Sequence, residues 1–212
     1  MTRGHFIAFE GGEGMGKSTQ ARLLAEWLQR DGVTVELTRE PGGTPGAEAI
    51  RNLLLSPPGE GWTPEAEALL FAAARTDHVA RRIRPALDAG SWVVCDRFID
   101  SSRAYQAIAG GLGDDKVSQL HRIGSAGLLP DLTLLIDAPN DAVAARLAKR
   151  DGDTSDAIGG RAADYHAAVN AAFRDFANIE PDRFAVIDGS GSIEEVHQQV
   201  VAAISQRFEV TA

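Results

Sequence analysis

Residues 11–18 run Gly-Gly-Glu-Gly-Met-Gly-Lys-Ser, the spacing G-x-x-x-x-G-K-[ST] of a loop that cradles phosphates. Glycines at 11, 12, 14 and 16 are expected to adopt positive φ and let backbone N–H groups wrap an anion. Lys17 is placed to reach β- and γ-phosphates, and Ser18 to offer its hydroxyl to Mg2+. Glu13 stands out, because a carboxylate inside an anion-binding loop costs electrostatically unless it has a task of its own. The dinucleotide fingerprint G-x-G-x-x-G fits no register of this loop, which removes a nicotinamide reading.

A second chemical pair, Asp96-Arg97, closes the apolar run that begins at Trp92. The carboxyl end of a strand is where doubly wound sheets place ligand-binding residues. Asp96 suits Mg2+ or its waters, and Arg97 suits a two-pronged grip on a second phosphate. A structural salt bridge is the alternative reading of so short a pair. Residues 151–160, Asp-Gly-Asp-Thr-Ser-Asp-Ala-Ile-Gly-Gly, have little apolar surface to bury and read as a mobile segment. Arg146, Lys149 and Arg150 precede it and Arg161 follows, so a lid over residues 146–161 would bring guanidinium groups onto an anion; a solvated connector is the plainer alternative.

These groups need a frame. Apolar strand-like runs at 5–10, 33–38, 92–96, 132–137 and 183–188 alternate with helical patterns, which predicts an α/β fold with a parallel sheet flanked by helices. Ala21, Leu24, Ala25 and Leu28 recur at helical spacing after the phosphate loop, with Asp31-Gly32 as the stop. Thr63-Pro64-Glu65 opens a long helix running toward Gly90, and Ser192-Ile-Glu-Glu195 is a capping box. Ile193, Val196, Val200 and Ile204 behind it predict a buried face.

With 212 residues, 44% of them hydrophobic, the chain is expected to form one domain over 1–212. A net charge of −9 argues against a nucleic-acid partner, though a local cluster of basic residues still binds a small anion. One cysteine, Cys95, makes no internal disulfide, and no targeting or membrane-spanning segment is visible, so a cytoplasmic protein is expected. Cys95, Trp62 and Trp92 read as packing residues. The five histidines lack metal-ligand spacing.

The segment 96–106, Asp-Arg-Phe-Ile-Asp-Ser-Ser-Arg-Ala-Tyr-Gln, resembles the signature of thymidylate kinases. Phe9-Glu-Gly-Gly-Glu-Gly14, Thr38-Arg-Glu-Pro-Gly-Gly-Thr44, Leu70-Phe-Ala-Ala-Ala-Arg75 with His78 beyond it, and an arginine-bearing lid follow the same family order. The resemblance implies a P-loop kinase core, the reaction ATP + dTMP ⇌ ADP + dTDP, a Mg2+ requirement and a homodimer. It assigns ATP to Gly11, Gly12, Gly14, Met15, Gly16, Lys17, Ser18 and Thr19, with Mg2+ at Ser18 and Asp96. It assigns dTMP to Glu13, Arg39, Arg51, Phe71, Arg75, Arg97, Ser102, Tyr105 and Gln106.

Within that set, Glu13 would accept from the 3′-hydroxyl and Phe71 would offer its face to the pyrimidine. Arg75, one helical turn on, would reach the base edge. Ser102 and Gln106, four apart, would present polar groups to one side. Tyr105 would crowd the 2′ position and favour deoxyribose. Arg51 would touch the acceptor phosphate, whereas Arg39 braces the turn, and His78 would brace the substrate helix.

Gly14 in the loop marks the lid-arginine variant of the family. Asp156-Ala-Ile158 stands where many relatives have Asp-Arg-Ile or Asp-Arg-Leu, so Arg150 is the first candidate for the catalytic lid charge, with Arg161 and Arg146 as substitutes. Lys17, Arg97 and Arg150 are the expected catalytic set. The loop at Asp188-Gly189-Ser190 is a candidate adenine contact by position. A kinase for another pyrimidine nucleotide or for a deoxynucleoside, and a nucleotide-binding regulator without turnover, are the alternatives. No N-K-x-D motif appears, and Asp156-Ala-Ile-Gly159 does not follow a strand, so a GTPase is not indicated.

Overall fold

The computed structural model describes residues 3–139 and 157–208. Five strands, β1 (Phe6–Glu10), β2 (Val35–Arg39), β3 (Trp92–Asp96), β4 (Leu132–Asp137) and β5 (Phe184–Asp188), form one sheet in the order β2-β3-β1-β4-β5. Every pairing is parallel. All five residues of β1 are buried, as a central strand covered on both faces requires. The edges shift slightly from the sequence expectation. Val33 instead closes the preceding helix by donating to Leu28 O, and Arg183 precedes β5.

Side chains alternate between two layers because the strand period is two. Ile7 and Phe9 face α1 (Lys17–Arg30) and the C-terminal helix, packing with Leu24, Leu28, Val196, Val200 and Ile204. Phe6 and Ala8 face the opposite layer, with Val79, Ile83, Leu87 and Phe98. That layer contains α2 (Pro45–Leu55) and α3 (Pro64–His78), which passes through a π-helical turn at Val79–Ile83 into α4 (Arg84–Asp88). It also holds α5 (Ile99–Ser102), which widens into a second π turn, Arg103–Ala109, and α6 (Asp114–Ser125). The helix α7 (Ala163–Ile179) packs Phe173 and Phe176 with Ala104 and Tyr105.

The last helix, α8 (Ile193–Arg207), starts with the expected capping box: Glu195 N donates to Ser192 Oγ at 3.2 Å, and Ser192 N to Glu195 Oε2 at 2.7 Å. One expectation fails here. Ile193 is 54% exposed, because the first turn of α8 overhangs the cavity described below instead of the sheet.

β1 and β3 are neighbours with Phe9 opposite Asp96, and Arg97 N donates to Phe9 O at 2.9 Å. The phosphate loop and the Asp96-Arg97 pair therefore emerge side by side at the carboxyl end of the sheet, where open α/β folds bind ligands.

Candidate active site

After β1 the chain turns back over the sheet through Gly11, Gly14 and Gly16, at φ of 135°, 71° and 89°. Gly12 does not share this conformation, which corrects the expectation of positive φ at all four glycines. Its lack of a Cβ admits Asn170 of α7, whose Oδ1 would lie 2.3 Å from a methyl group there. No side chain caps the first turn of α1, an arrangement that suits a phosphate at a helix N-terminus. Met15 is buried in the core beside the loop. Lys17 is also buried, and its Nζ donates to Gly12 O at 2.6 Å. Burial, followed by the nearby Arg97 charge, lowers its pKa to about 8. An arriving polyphosphate would add countercharge to that of Glu13, Asp96 and Glu10.

Ser18 Oγ donates to Asp96 Oδ2 in a short hydrogen bond. The other carboxylate oxygen, Asp96 Oδ1, is buried with no hydrogen-bond partner among the described residues. Such an orphan calls for a missing partner. A hydroxyl and a carboxylate oxygen side by side are the hard donors that Mg2+ takes when phosphates and waters complete its shell. Ser18 and Asp96 thus fit the metal that the sequence implies.

Arg97 sits at φ 70°, a left-handed conformation that costs a non-glycine residue energy and that recurs at functional positions. Its guanidinium donates to Gly11 O at 3.0 Å, Ser101 Oγ at 2.9 Å, Glu13 Oε1 at 2.7 Å and Tyr105 OH at 3.2 Å. It also lies 5.1 Å from the centre of the Tyr105 ring. Burial opposes its charge, but Tyr105, Glu13, Glu10 and Asp96 more than offset that and keep it cationic. Tyr105 OH donates to the same Glu13 oxygen at 3.1 Å, so Glu13, Tyr105 and Arg97 form one cluster across loop and helix.

A second part of the site is built around a buried acid that the sequence pattern did not single out. Glu40 accepts from Arg75 Nε at 2.7 Å and contacts His78 Nδ1 at 3.0 Å, and His78 Nε2 lies 2.7 Å from Thr38 Oγ1. Burial raises the Glu40 pKa, yet Arg75 and His78 together bring it below the ordinary value. Arg75 also donates to Phe98 O and Ser102 Oγ, at 3.1 and 3.0 Å. Arg51 donates to Pro41 O at 2.7 Å, and Arg39 forks onto Glu48 at 3.1 and 3.2 Å. Gln106 donates to Glu67, a second unforeseen acid, at 2.8 Å.

A third, Glu10, is wholly buried. It accepts from Phe98 N, Ser101 N and Ser101 Oγ at 2.8, 3.0 and 2.6 Å. An acid closing the otherwise apolar run Phe-Ile-Ala-Phe-Glu was the available signal for it. Glu67 lies four residues before Phe71 and eight before Arg75, on the same helix face, and that spacing was the available signal for it.

A cavity of about 980 Å³ joins these groups. Its walls include Glu13, Gly14, Lys17, Ser18, Thr19, Arg39, Arg51, Phe71, Arg75, Asp96, Arg97, Ser102, Tyr105 and Gln106, together with Ser101, Gly189, Gly191 and Ile193. Gly11 and Gly12 stand behind the wall and act through their carbonyls. Arg146, Lys149, Arg150 and Asp156 lie outside the described residues. Arg161 is described, and it is held by Glu67 and Tyr165 through short contacts instead of entering this cavity.

A parallel sheet that sets a phosphate loop at the end of its central strand, and a carboxylate followed by an arginine at the next, defines a P-loop phosphotransferase. Comparison with known proteins narrows the class. A family model described as thymidylate kinase matches residues 9–200. A thymidylate kinase of Rhizorhabdus wittichii is 54% identical over 202 residues, covering 95% of this chain and 97% of the relative. One from Bradyrhizobium sp. is 48% identical over 207 residues, covering 97% and 92%. The crystal structure of thymidylate kinase from Ehrlichia chaffeensis superposes with a TM-score of 0.78 at 35% identity, covering 95% of this chain and 99% of that one. The chain belongs to the thymidylate kinase family.

Proposed function

We propose that this chain is a dTMP kinase, moving the γ-phosphoryl group of ATP to the 5′-phosphate of dTMP to give ADP and dTDP. The observation that carries the reading is the shared cavity in which the phosphate loop, the Asp96-Arg97 pair and the Phe71, Arg75 and Gln106 wall face one another. A triphosphate on the loop and a nucleoside monophosphate on the wall would meet over Lys17 and Arg97.

An oxygen of the acceptor phosphate attacks the γ-phosphorus as the bond to the bridging oxygen breaks, and that oxygen leaves with the electron pair on ADP. The acceptor is already anionic near neutral pH, so no side chain has to remove a proton. Positioning and charge carry the reaction. Lys17 and the N-terminus of α1 hold the β- and γ-phosphates. Arg97, pre-set by Gly11, Ser101, Glu13 and Tyr105, holds the acceptor in line. Ser18 and Asp96 would hold Mg2+, and the metal would supply positive charge against the phosphates.

Phe71, Arg75, Ser102 and Gln106 receive the base, Glu13 and Tyr105 the sugar, and Arg51 the acceptor phosphate, with Arg39 bracing the turn. Gly189, within the expected adenine loop, and Gly191 just after it line the same cavity and supply the adenine end. Arg150 from the lid neutralises the transferring group, with Arg146 as its substitute; the Arg161 contact with Glu67 ranks it third. The enzyme works as one domain over 1–212, as a homodimer, in the cytoplasm. Among the described residues no helix is long and apolar enough to cross a membrane.

A coupled ADP-release assay with Mg-ATP tests the reading, with dTMP, dUMP, CMP and thymidine compared as acceptors. We expect dTMP to be preferred and turnover to fall by about 10³–10⁵ in Arg150→Ala. Turnover surviving Arg150→Ala would move the lid charge to another arginine. Tight dTMP binding without turnover would replace the enzyme with a nucleotide-binding regulator.

A further inference from the structure

Gln106 is only 3% exposed, yet it lines the cavity where the acceptor base would sit. Its Nε2 donates to Glu67 Oε1 at 2.8 Å, and Glu67 is itself buried on α3. An ionised carboxylate accepts and never donates. The amide of Gln106 must therefore turn its nitrogen toward Glu67, and its oxygen Oε1 receives no donor among the described residues.

Glu67 has no freedom to release this hold. Its second oxygen, Oε2, is taken by Arg161 in a short ion pair. Arg161 in turn bonds the Tyr165 hydroxyl and lies 4.6 Å from the centre of that ring. Tyr165 OH donates to Tyr105 O at 2.7 Å, which ties the group back to the wall of the cavity. Both carboxylate oxygens are thus committed, one to each neighbour, and the Gln106 amide is locked in a single orientation.

We propose that Glu67 is a specificity-determining positioning residue: by fixing the Gln106 amide with its oxygen free, it selects bases that carry N–H at ring position 3, such as thymine and uracil, over cytosine. The proposal rests on the reading of Gln106 as a base contact. Cytosine presents a bare nitrogen at that position, so an acceptor would face an acceptor, with both desolvated. A buried group left unpaired in this way is how polar sites reject close analogues far more strongly than apolar pockets do. Without Glu67 the amide of Gln106 would turn over and offer its nitrogen, and the mismatch with cytosine at ring position 3 would disappear.

The test compares kcat/KM for dUMP and dCMP, which differ only at ring positions 3 and 4, in the full chain with Mg-ATP. In Glu67→Gln the neighbouring amide has a donor as well as an acceptor, so Gln106 is released. We expect the dUMP to dCMP ratio to fall at least about tenfold, mainly through a lower KM for dCMP, while kcat with dTMP stays within about tenfold of the parent. Glu67→Met, which removes both oxygens, is measured alongside and is expected to move the ratio the same way; it carries the test if Glu67→Gln does not fold. A ratio unchanged in the folded variant would overturn the proposal. Gln106→Leu separates the proposal from the reading beneath it. If that variant raises the KM for dTMP while the Glu67 variants keep their ratio, the base contact stands and the role of Glu67 falls. If it leaves KM and ratio alone, the contact itself is wrong and the proposal goes with it.

Discussion

Glu10 puts a carboxylate where a charge is expensive. It is fully buried, and burial first, then the neighbouring Asp100, raises its pKa to about 7, against the opposing pull of Arg97 and of hydrogen bonds from Ser101 and Phe98. The unfolded chain releases this proton near the ordinary value of 4.5, the folded chain near 7, so between these pH values the native state holds more protons. The Glu10 contribution to stability is therefore fully present below about 4.5 and is lost as pH rises toward about 7. Glu10→Gln keeps an oxygen for the two backbone N–H groups and does not titrate. Urea denaturation should show the variant gaining about 1–3 kcal/mol on the parent between pH 4.5 and pH 8, because each tenfold change in an ionisation equilibrium is worth about 1.4 kcal/mol. A parallel pH dependence in the two proteins would show that Glu10 ionises normally. Lys17 makes a different demand on the same site, because the proposed function gives its charge to phosphate and not to the fold. Lys17→Met should lower kcat by about 10²–10³ while dTMP binding, followed by calorimetry, is retained.

At the scale of elements, the phosphate loop must fit between β4 and α7 as well as around an anion. Gly11 approaches the backbone: at its φ of 135°, a Cβ would lie 2.4 Å from Ile136 O on β4. Gly12 approaches a side chain, Asn170 on α7. The sequence motif shows that glycine is used at these places but does not distinguish a conformational need from a packing need, and for that reason it misled at Gly12. The two cases separate by rescue. Gly12→Ala should cost about 1–3 kcal/mol, the range of an overpacked contact, and Asn170→Ala should recover most of that in the double variant. Gly11→Ala has no side chain to yield and should resist rescue by any single neighbour. Melting temperatures of the two singles and of the Gly12 and Asn170 pair decide the matter; additive losses in that pair would show that the contact is not the cause. The same limit explains Ile193, whose helical spacing was read correctly while its place at an overhanging helix end was not, since periodicity gives a face but not what lies opposite it.

Across the whole molecule, the parallel sheet, the capped helices and the phosphate loop were legible because apolar period, cap residues and glycine spacing are local properties of a chain. The buried acids Glu10, Glu40, Glu67 and Asp100 were not, because their partners come from elements distant in sequence. Asp100 shows how much depends on them. It is fully buried on α5, takes Arg183 at 2.6 and 2.8 Å and Arg103 at 3.0 Å, and lies within 3.5 Å of Thr133 Oγ1 on β4. Glu180, just after α7, holds the same two arginines at 2.7 and 2.8 Å. The segment that follows Arg97 is thereby tied to the segment that leads from α7 into β5. Asp100→Ala would leave two largely buried guanidinium groups short of a counter-charge, the circumstance in which breaking a buried ion pair costs about 3–5 kcal/mol. Arg22 and Glu26 form an ion pair at 2.6 Å on α1, shorter than some of these contacts, but both side chains are well exposed. Solvent screening limits such a pair to about 0.3–0.5 kcal/mol. Urea midpoints for Asp100→Ala and Glu26→Ala should therefore differ widely even though each variant removes one carboxylate, and because Asp100 lies outside the cavity lining, the Asp100 variant should lose stability before it loses dTMP affinity. A small shift for Asp100→Ala would mean that Glu180, together with Asp114 on Arg103, can hold both arginines without it.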